Sequence, residues 1–163
     1  MEPIDHVSDH RLDYVLQIKT GDSQPMNSNN PIVQLCAEGM EWEMKGRFDE
    51  ASRLFMAAWD QSTDDFEKSV AAHYVARHQK TTAETLLWNQ ESLHHANAAN
   101  DPRVQGFYPS LYLNMGKSHE DTGNLEDARR FYELAAAKAE CLSADRYGDI
   151  VRDGIVRGLQ RVS

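Results

Sequence analysis

Cysteine, proline and long apolar runs are scarce in this chain of 163 residues. Cys36 and Cys141 stand far apart and neither belongs to a Cys-x-x-Cys pair, so they predict reduced, packed thiols rather than a disulfide framework. No stretch approaches the roughly 20 apolar residues of a membrane-spanning helix. Residues 1–30 also lack the apolar core of a secretory signal. These absences predict a soluble, cytoplasmic protein with no membrane partner.

Sequence motifs of catalysis and cofactor binding are missing as well. The chain contains no His-Glu-x-x-His pair, no Gly-x-Ser-x-Gly elbow and no glycine-rich phosphate loop. His73 and His78 are five residues apart, a spacing that does not bring two ring nitrogens to one helix face. A pairing of Cys36 or Cys141 with His78 stays open, although a buried thiol is the commoner case. We therefore expect no enzyme, no catalytic residue, no metal site and no cofactor.

Basic residues are outnumbered, and the formal net charge is −9. Nucleic acid is therefore not expected as a partner, because phosphate binding needs a concentrated basic surface. One basic row near the C-terminus is interleaved with acidic residues, a pattern typical of a solvated helix face. It consists of Arg146, Arg152, Arg157 and Arg161 with Asp145, Asp149 and Asp153.

Amphipathic helical patterns are what the chain does contain. Residues 109–141 read as two helices joined by a tight turn, because apolar residues recur there at spacings of three and four. Gly123 suits the left-handed residue that ends a helix, and Asn124 with Asp127 predicts the start of the next. The two apolar faces are formed by Leu111, Tyr112, Met115 and His119, and by Leu125, Ala128, Tyr132, Ala135 and Ala136.

This helix pair resembles the tetratricopeptide repeat, a 34-residue pattern of small and aromatic residues. Its matching residues are Tyr112, Met115, Gly116 and His119 in the first helix, and Ala128, Tyr132 and Ala135 in the second. A better match lies upstream, in residues 32–65. It consists of Leu35, Gly39 and Trp42, the turn at Gly46, and then Ala51, Phe55 and Ala58.

Residues 66–99 fill the interval with a weaker copy. Its first helix is lined by Ala72, His73 and Ala76, and its second by Thr85, Asn89, Ser92 and Leu93. His73 replaces the small glycine, Lys80 the turn glycine and Asn89 the aromatic residue, so we expect this pair to pack differently. Thr81 followed by Glu84 is a capping-box signature that supports a helix start.

The resemblance implies an all-α fold, a right-handed α-solenoid of three hairpins closed by a C-terminal capping helix. The domain spans 32–163, with hairpins at about 32–65, 66–99 and 109–142, a loop or helix extension at 100–108 and the capping helix at 143–162. We expect residues 1–31 to form a partly flexible arm and linker. Alternating apolar residues in this arm fit a short strand and also one helical turn, and both alternatives stay open.

In this family the first helices of the hairpins line a concave groove that binds peptide segments. Helical geometry then assigns Cys36, Met40, Glu43 and Met44 to the groove from the first copy, and Val70, Tyr74, Arg77 and His78 from the second. The third copy contributes Leu113, Asn114, Lys117, Glu120 and Asp121. From these we select a candidate peptide site of Met40, Glu43, Tyr74, Arg77, His78, Asn114, Lys117 and Asp121.

Some members of the family grip a peptide carboxylate with lysine, arginine and asparagine. Arg77, Asn114 and Lys117 keep part of that chemistry, but Cys36 and Met40 stand where the family's other basic and amide residues would be. The competing interpretation pairs Arg77 and Lys117 with acidic residues of the same chain as ordinary ion pairs, namely with Glu43, Glu120 or Asp121.

The sequence thus predicts a protein-interaction adaptor that binds a segment of another protein in its groove. The alternative is a self-assembling structural protein. In that case the terminal helix or the N-terminal arm would mediate a homodimer, and residues 1–30 would fill the groove.

Overall fold

Helices make up the regular secondary structure of the part of the chain that the structure describes. The computed structural model describes residues 29–163, so the expected arm at 1–31 lies almost entirely outside the described residues. The predicted all-α class is confirmed for residues 29–163, which contain no strand. The helices are α1 (Pro31–Met44), α2 (Phe48–Gln61), α3 (Asp65–Val75), α4 (Thr82–Ala98), α5 (Tyr108–Asp121), α6 (Leu125–Ala137) and α7 (Arg146–Arg161). Short 3₁₀ turns occupy Ala76–His78, Pro102–Gly106 and Ala139–Cys141.

Polar side chains at the helix starts satisfy backbone N–H groups that have no partner inside the helix. Asn30 accepts from the N–H groups of Ile32 and Val33, and Asn124 accepts from that of Asp127. Thr81 and Glu84 form the predicted capping box at the start of α4. These caps explain where three helices begin, and those at Thr81 and Asn124 were predicted from the sequence.

Two helix pairs end their first helix on a glycine in the left-handed region. Gly46 has φ 72° and Gly123 has φ 84°, values that a side chain would strain. The middle pair has no glycine at this position. There α3 ends at Val75, the chain continues as the 3₁₀ turn to His78, and the Gln79 side-chain amide donates to the carbonyl of Val75 at 2.7 Å. Where Lys80 replaces the turn glycine, the chain thus forms a different turn, in which the Gln79 side chain caps the end of α3.

Each helix packs against the next one along the chain, from α1 to α7. In addition α1 contacts α3, and α7 contacts α5. The largest apolar cluster runs from α1 to the start of α5, and smaller clusters join α5, α6 and α7. Within residues 29–163, no helix combines the length and apolar character needed to cross a membrane.

Aromatic rings pressed onto glycines set the closest approach between helices. A Cβ atom added at Gly39 would lie 2.4 Å from Phe55 Cε1, and one at Gly116 would lie 2.6 Å from the Tyr132 ring. Tyr132 meets a second glycine on its other side, because a Cβ at Gly158 would be 2.5 Å from Cε1. Both rings are fully buried. Glycine is thus required for α1 to meet α2 and for α5 and α7 to meet α6.

The middle pair was expected to pack differently from the other two, and its contacts are partly polar. Asn89 is buried and donates from Nδ2 to Ser118 Oγ on α5 at 2.9 Å, and Ser92 Oγ donates to the carbonyl of Ser69 at 2.7 Å. His73, which replaces the small glycine of the pattern, lies beside Phe107, with ring centroids 5.0 Å apart. The insertion before α5 therefore supplies apolar surface that a glycine–aromatic contact supplies elsewhere.

The last helix is tied to the third pair by a buried tyrosine and an ion pair. Tyr132 donates to Glu120 Oε2 at 2.5 Å, and Arg161 donates to both oxygens of Glu120 at 2.7 and 3.0 Å. The hydrogen bonds from Arg161 and Tyr132 hold the pKa of Glu120 at about 2. Burial and the Glu120 carboxylate raise the pKa of Tyr132, which therefore stays a donor.

The two cysteines differ in environment, which corrects one expectation. Cys36 is buried in α1, and burial raises the pKa of its thiol, so this thiol is protonated. Cys141, predicted to be packed, is exposed because it lies in the short turn after α6 rather than on a helix face. Both are free thiols.

Replacing Gly116 by alanine should destabilise the fold. The added Cβ would overlap the Tyr132 ring, and that ring cannot move away because it also lies against Gly158. We expect the free energy of unfolding to fall by about 1 to 3 kcal/mol, the usual cost of overpacking. Gly154→Ala is the matched control. Its Cβ would touch only the flexible end of Leu113, at 3.0 Å, and alanine favours the helix, so a change below about 1 kcal/mol is expected. Urea unfolding of both variants makes the measurement, and equal losses would refute the clamp.

Acid should selectively weaken the attachment of α7. The folded pKa of Glu120 is lowered to about 2 from 4.5, so its contribution is full above pH 4.5 and is lost as the pH falls towards 2. We expect Glu120→Gln to be less stable than wild type at pH 6, and this difference to shrink below pH 4. Chemical unfolding between pH 6 and 2.5 measures it; a difference independent of pH would contradict the assignment.

Candidate functional site

Three of the eight predicted site residues meet around one carboxylate. Glu43, at the end of α1, accepts from Arg77 Nε at 3.0 Å and lies 2.5 Å from His78 Nε2. The Glu43 side chain is 3% exposed, whereas those of Arg77 and His78 are 31% and 17% exposed. A buried carboxylate needs such partners, since an unpaired charge in the interior is costly. Glu43 is therefore an internal anchor for the turn after α3.

Two other predicted residues lie in the core instead of on an open surface. Met40 is 3% exposed and Tyr74 is fully buried. The Tyr74 ring stacks on Phe55 of α2, with centroids 5.3 Å apart, and forms part of the largest apolar cluster. Tyr74 was expected to offer apolar surface to a peptide in the groove, but its ring is covered by the neighbouring helix instead. Cys36 and Val70, assigned to the same face, are buried too.

The remaining predicted residues lie on α5. Asn114 Nδ2 is 3.2 Å from His73 Nδ1, where the amide donates to an unprotonated ring nitrogen. Lys117 is exposed and pairs with Asp121, one turn further along the helix. Arg77 follows His73 by four residues and Lys117 follows Asn114 by three, so both cations lie within about one helical turn of the α3–α5 contact. The two cationic residues of the predicted site therefore lie near that contact, Arg77 in the turn after α3 and Lys117 on α5.

The alternative of internal ion pairs agrees with these contacts. Arg77 pairs with Glu43, and Lys117 with Asp121. However, Arg77 is engaged through Nε, and among residues 29–163 no acceptor takes its two terminal nitrogens. Its guanidinium carbon lies 5.9 Å from the centre of the Tyr74 ring, which supports the planar group from one side. A partly exposed guanidinium, whose terminal donors are taken by no residue of 29–163, is suited to an incoming carboxylate.

His73 is the residue of this region whose role the sequence did not indicate. It was recognised as a departure from the glycine of the pattern, but its contacts with Asn114 and Phe107 depend on how α5 approaches α3. Burial, followed by the nearby Arg77, lowers its pKa to about 3 from 6.5. The ring is therefore neutral near pH 7 and can accept the hydrogen bond from Asn114.

Metal-ligating groups and thiols are the other reactive features of the described chain. Among residues 29–163, no group of three or more histidine, cysteine and acidic side chains is arranged to hold a metal ion. Cys36, the thiol nearest to His78 along the chain, is buried and protonated.

Mild acid should destabilise the α3–α5 contact through His73. Its folded pKa lies below the unfolded value of 6.5, so the unfolded chain binds the proton first and stability falls as the pH drops below 6.5. Between pH 7 and 5 the loss should be about 1 to 2 kcal/mol. Urea unfolding should show a much weaker pH dependence for His73→Gln than for wild type. His94→Gln, at an exposed position on α4, should leave the change of the free energy of unfolding with pH as in wild type. If it reduces this pH dependence as much as His73→Gln does, His73 is not the source of the pH dependence.

Comparison with known proteins gives no match. No protein-family model matches the chain, and no curated protein or solved structure is significantly similar to it. The function is therefore inferred from the residues and contacts of this chain.

Proposed function

We propose that this chain is a protein-interaction adaptor of the tetratricopeptide type, binding a peptide segment of another protein. The observation that carries the proposal is the placement of Arg77, Asn114 and Lys117 around the α3–α5 contact of an otherwise acidic chain. These are the residues whose chemistry resembles a carboxylate grip, and they come from two helix pairs. The ligand group we propose is an acidic side chain or a C-terminal carboxylate.

The details of this site determine how such a carboxylate would bind. Arg77 keeps its Nε on Glu43 and offers its terminal nitrogens, so it can bind the ligand without exposing a buried charge. Lys117 pairs with Asp121 at a position where both side chains are well exposed, and such a pair is weak enough to be exchanged. Arginine therefore provides the directed hydrogen bonds, and lysine adds attraction at longer range.

The tetratricopeptide assignment rests on packing at the positions that define the pattern. Gly39 against Phe55 and Gly116 against Tyr132 are the small and aromatic positions of the first and third copies. A right-handed stack of three such hairpins would place α1, α3 and α5 on one side. The proposed peptide would lie across the α3 and α5 end of that side, because Met40 and Tyr74 are already buried.

A self-assembling structural protein is the second candidate. One observation favours it: α7 keeps Ile150 and Val156 exposed at 49% and 52%, although both are aliphatic residues. Assembly through the N-terminal arm concerns residues outside the described part of the chain. The two candidate functions depend on different surface residues. Peptide binding by the adaptor needs Arg77 and Lys117, whereas assembly through α7 does not.

A crosslinking pull-down from a lysate of the source organism tests the adaptor. We expect a protein that is captured by wild type and lost with Arg77→Gln/Lys117→Gln, since glutamine removes the cations without opposing Glu43 with a second carboxylate. The matched control is Arg129→Gln/Arg130→Gln, which removes two exposed charges from α6.

The captured protein should bind wild type and the α6 control with equal affinity, and the site variant at least about tenfold more weakly. Circular dichroism must show the same helix content in all three chains. Equal capture by the site variant would refute the α3–α5 site. Recovery of the bait alone in every sample would favour self-assembly.

A further inference from the structure

The outward face of α7 carries aliphatic side chains among charges. The inward face packs through Val151, Ile155 and Gly158, which are buried. On the opposite side, Asp149, Ile150, Asp153, Val156 and Arg157 are all exposed. A helix that caps a stack needs a polar outer face, so Ile150 and Val156 are not explained by capping.

These five residues form a symmetric pattern about Asp153. Ile150 precedes it by three residues and Val156 follows it by three. Asp149 precedes it by four residues and Arg157 follows it by four, with opposite charges at the two positions. Spacings of three and four keep all five side chains on one face of the helix. When the helix is reversed about Asp153, Ile150 and Val156 therefore exchange places, and so do Asp149 and Arg157.

We propose that this face of α7 is a homodimer surface on which a second copy of the chain docks with its own α7 antiparallel. A twofold axis through Asp153 places Ile150 against Val156 of the second copy and Asp149 against Arg157 of the second copy. Each pair then occurs twice, as an isologous contact requires. Charge complementarity selects the antiparallel arrangement, because parallel packing in register opposes like charges.

The pairs that these charges make within one chain are replaceable. Asp149 pairs with Arg152 at 3.2 Å, and Asp153 pairs with Arg157, and all four side chains are at least 36% exposed. Exposed pairs of this kind contribute little to stability, so Arg157 can also engage a second copy. Asp153 opposes its own symmetry mate at the axis, which weakens the dimer.

The size of the contact makes this dimer reversible. A single helix pair stays at the small end of specific interfaces, below about 1,200 Å² in total, where weak and transient complexes are found. The dimer should therefore depend on concentration, and it should weaken with salt because its charge pairs are exposed. This inference is independent of peptide binding at α3 and α5.

Sedimentation velocity of the full chain tests the surface. The average mass should rise from 18.5 kDa towards twice that value with increasing concentration. Val156→Asp should weaken the association by about tenfold or more, because it sets a charge against an aliphatic contact. Leu87→Asp is the matched control, since Leu87 is 61% exposed on α4 and should leave the dimer unchanged. A wild-type chain that stays monomeric, or equal effects of the two variants, overturns the proposal.

A charge exchange tests the pairing itself. Asp149→Arg and Arg157→Asp should each weaken the dimer, because each sets like charges against the second copy. The double variant restores opposite charges across the axis and should recover most of the wild-type association. A double variant weaker than both single variants would refute the antiparallel pairing.

Crosslinking at the axis identifies the face directly. In a Cys141→Ser background, Asp153→Cys should form a disulfide dimer under mild oxidation, because the two residues face each other across the twofold axis. Leu87→Cys in the same background should remain a monomer. Buried Cys36 is present in both variants and does not interfere. A dimer seen by sedimentation without this crosslink would assign assembly to another segment.

Discussion

The packing of an aromatic ring onto a glycine is the constraint on which most of this fold depends. A side chain at Gly39 or Gly116 would overlap Phe55 or Tyr132, so the absence of Cβ sets how closely the two helices of a pair approach. Tyr132 lies between Gly116 and Gly158, and its hydroxyl reaches Glu120. One buried tyrosine thus joins α5, α6 and α7. Helix α7 is held by the same ring that packs between the two helices of the third pair.

The middle pair lacks this contact and makes different use of its core positions. Where the ring would stand, Asn89 hydrogen-bonds Ser118 on the next pair, and its Oδ1 has no hydrogen-bond partner in the described chain. His73 replaces the glycine and lies against Phe107 from the insertion. A buried polar contact provides less apolar packing, but its hydrogen bonds are directional and therefore specify which side chains meet. As a result α5 is joined to α4 by the hydrogen bond between Asn89 and Ser118, and to α3 by the one between Asn114 and His73. The cations Arg77 and Lys117 lie within about one helical turn of the contact with α3.

Much of the secondary structure could be predicted from the sequence, because its signals are local. The glycines at 46 and 123, the capping box at Thr81 and the cap at Asn124 each act within a few residues. The site was less predictable. Helical spacing assigned Met40, Tyr74 and Arg77 to the expected groove, but it could not indicate how deeply neighbouring helices would cover each one. Tyr74 became core because α2 places Phe55 against it, a contact between residues distant in sequence.

The burial of their acidic partners separates the roles of the two cations. Glu43 is 3% exposed, so taking Arg77 away from it would leave a carboxylate in the interior, which costs far more than a surface contact returns. Asp121 is 39% exposed, and water readily replaces Lys117 beside it. The carboxylate of the proposed ligand can therefore replace Asp121 as the partner of Lys117. It cannot replace Glu43 beside Arg77, so it would bind the terminal nitrogens of Arg77 while Nε stays on Glu43. Specificity should then depend on the geometry of Arg77, whose orientation Glu43 fixes before any ligand arrives.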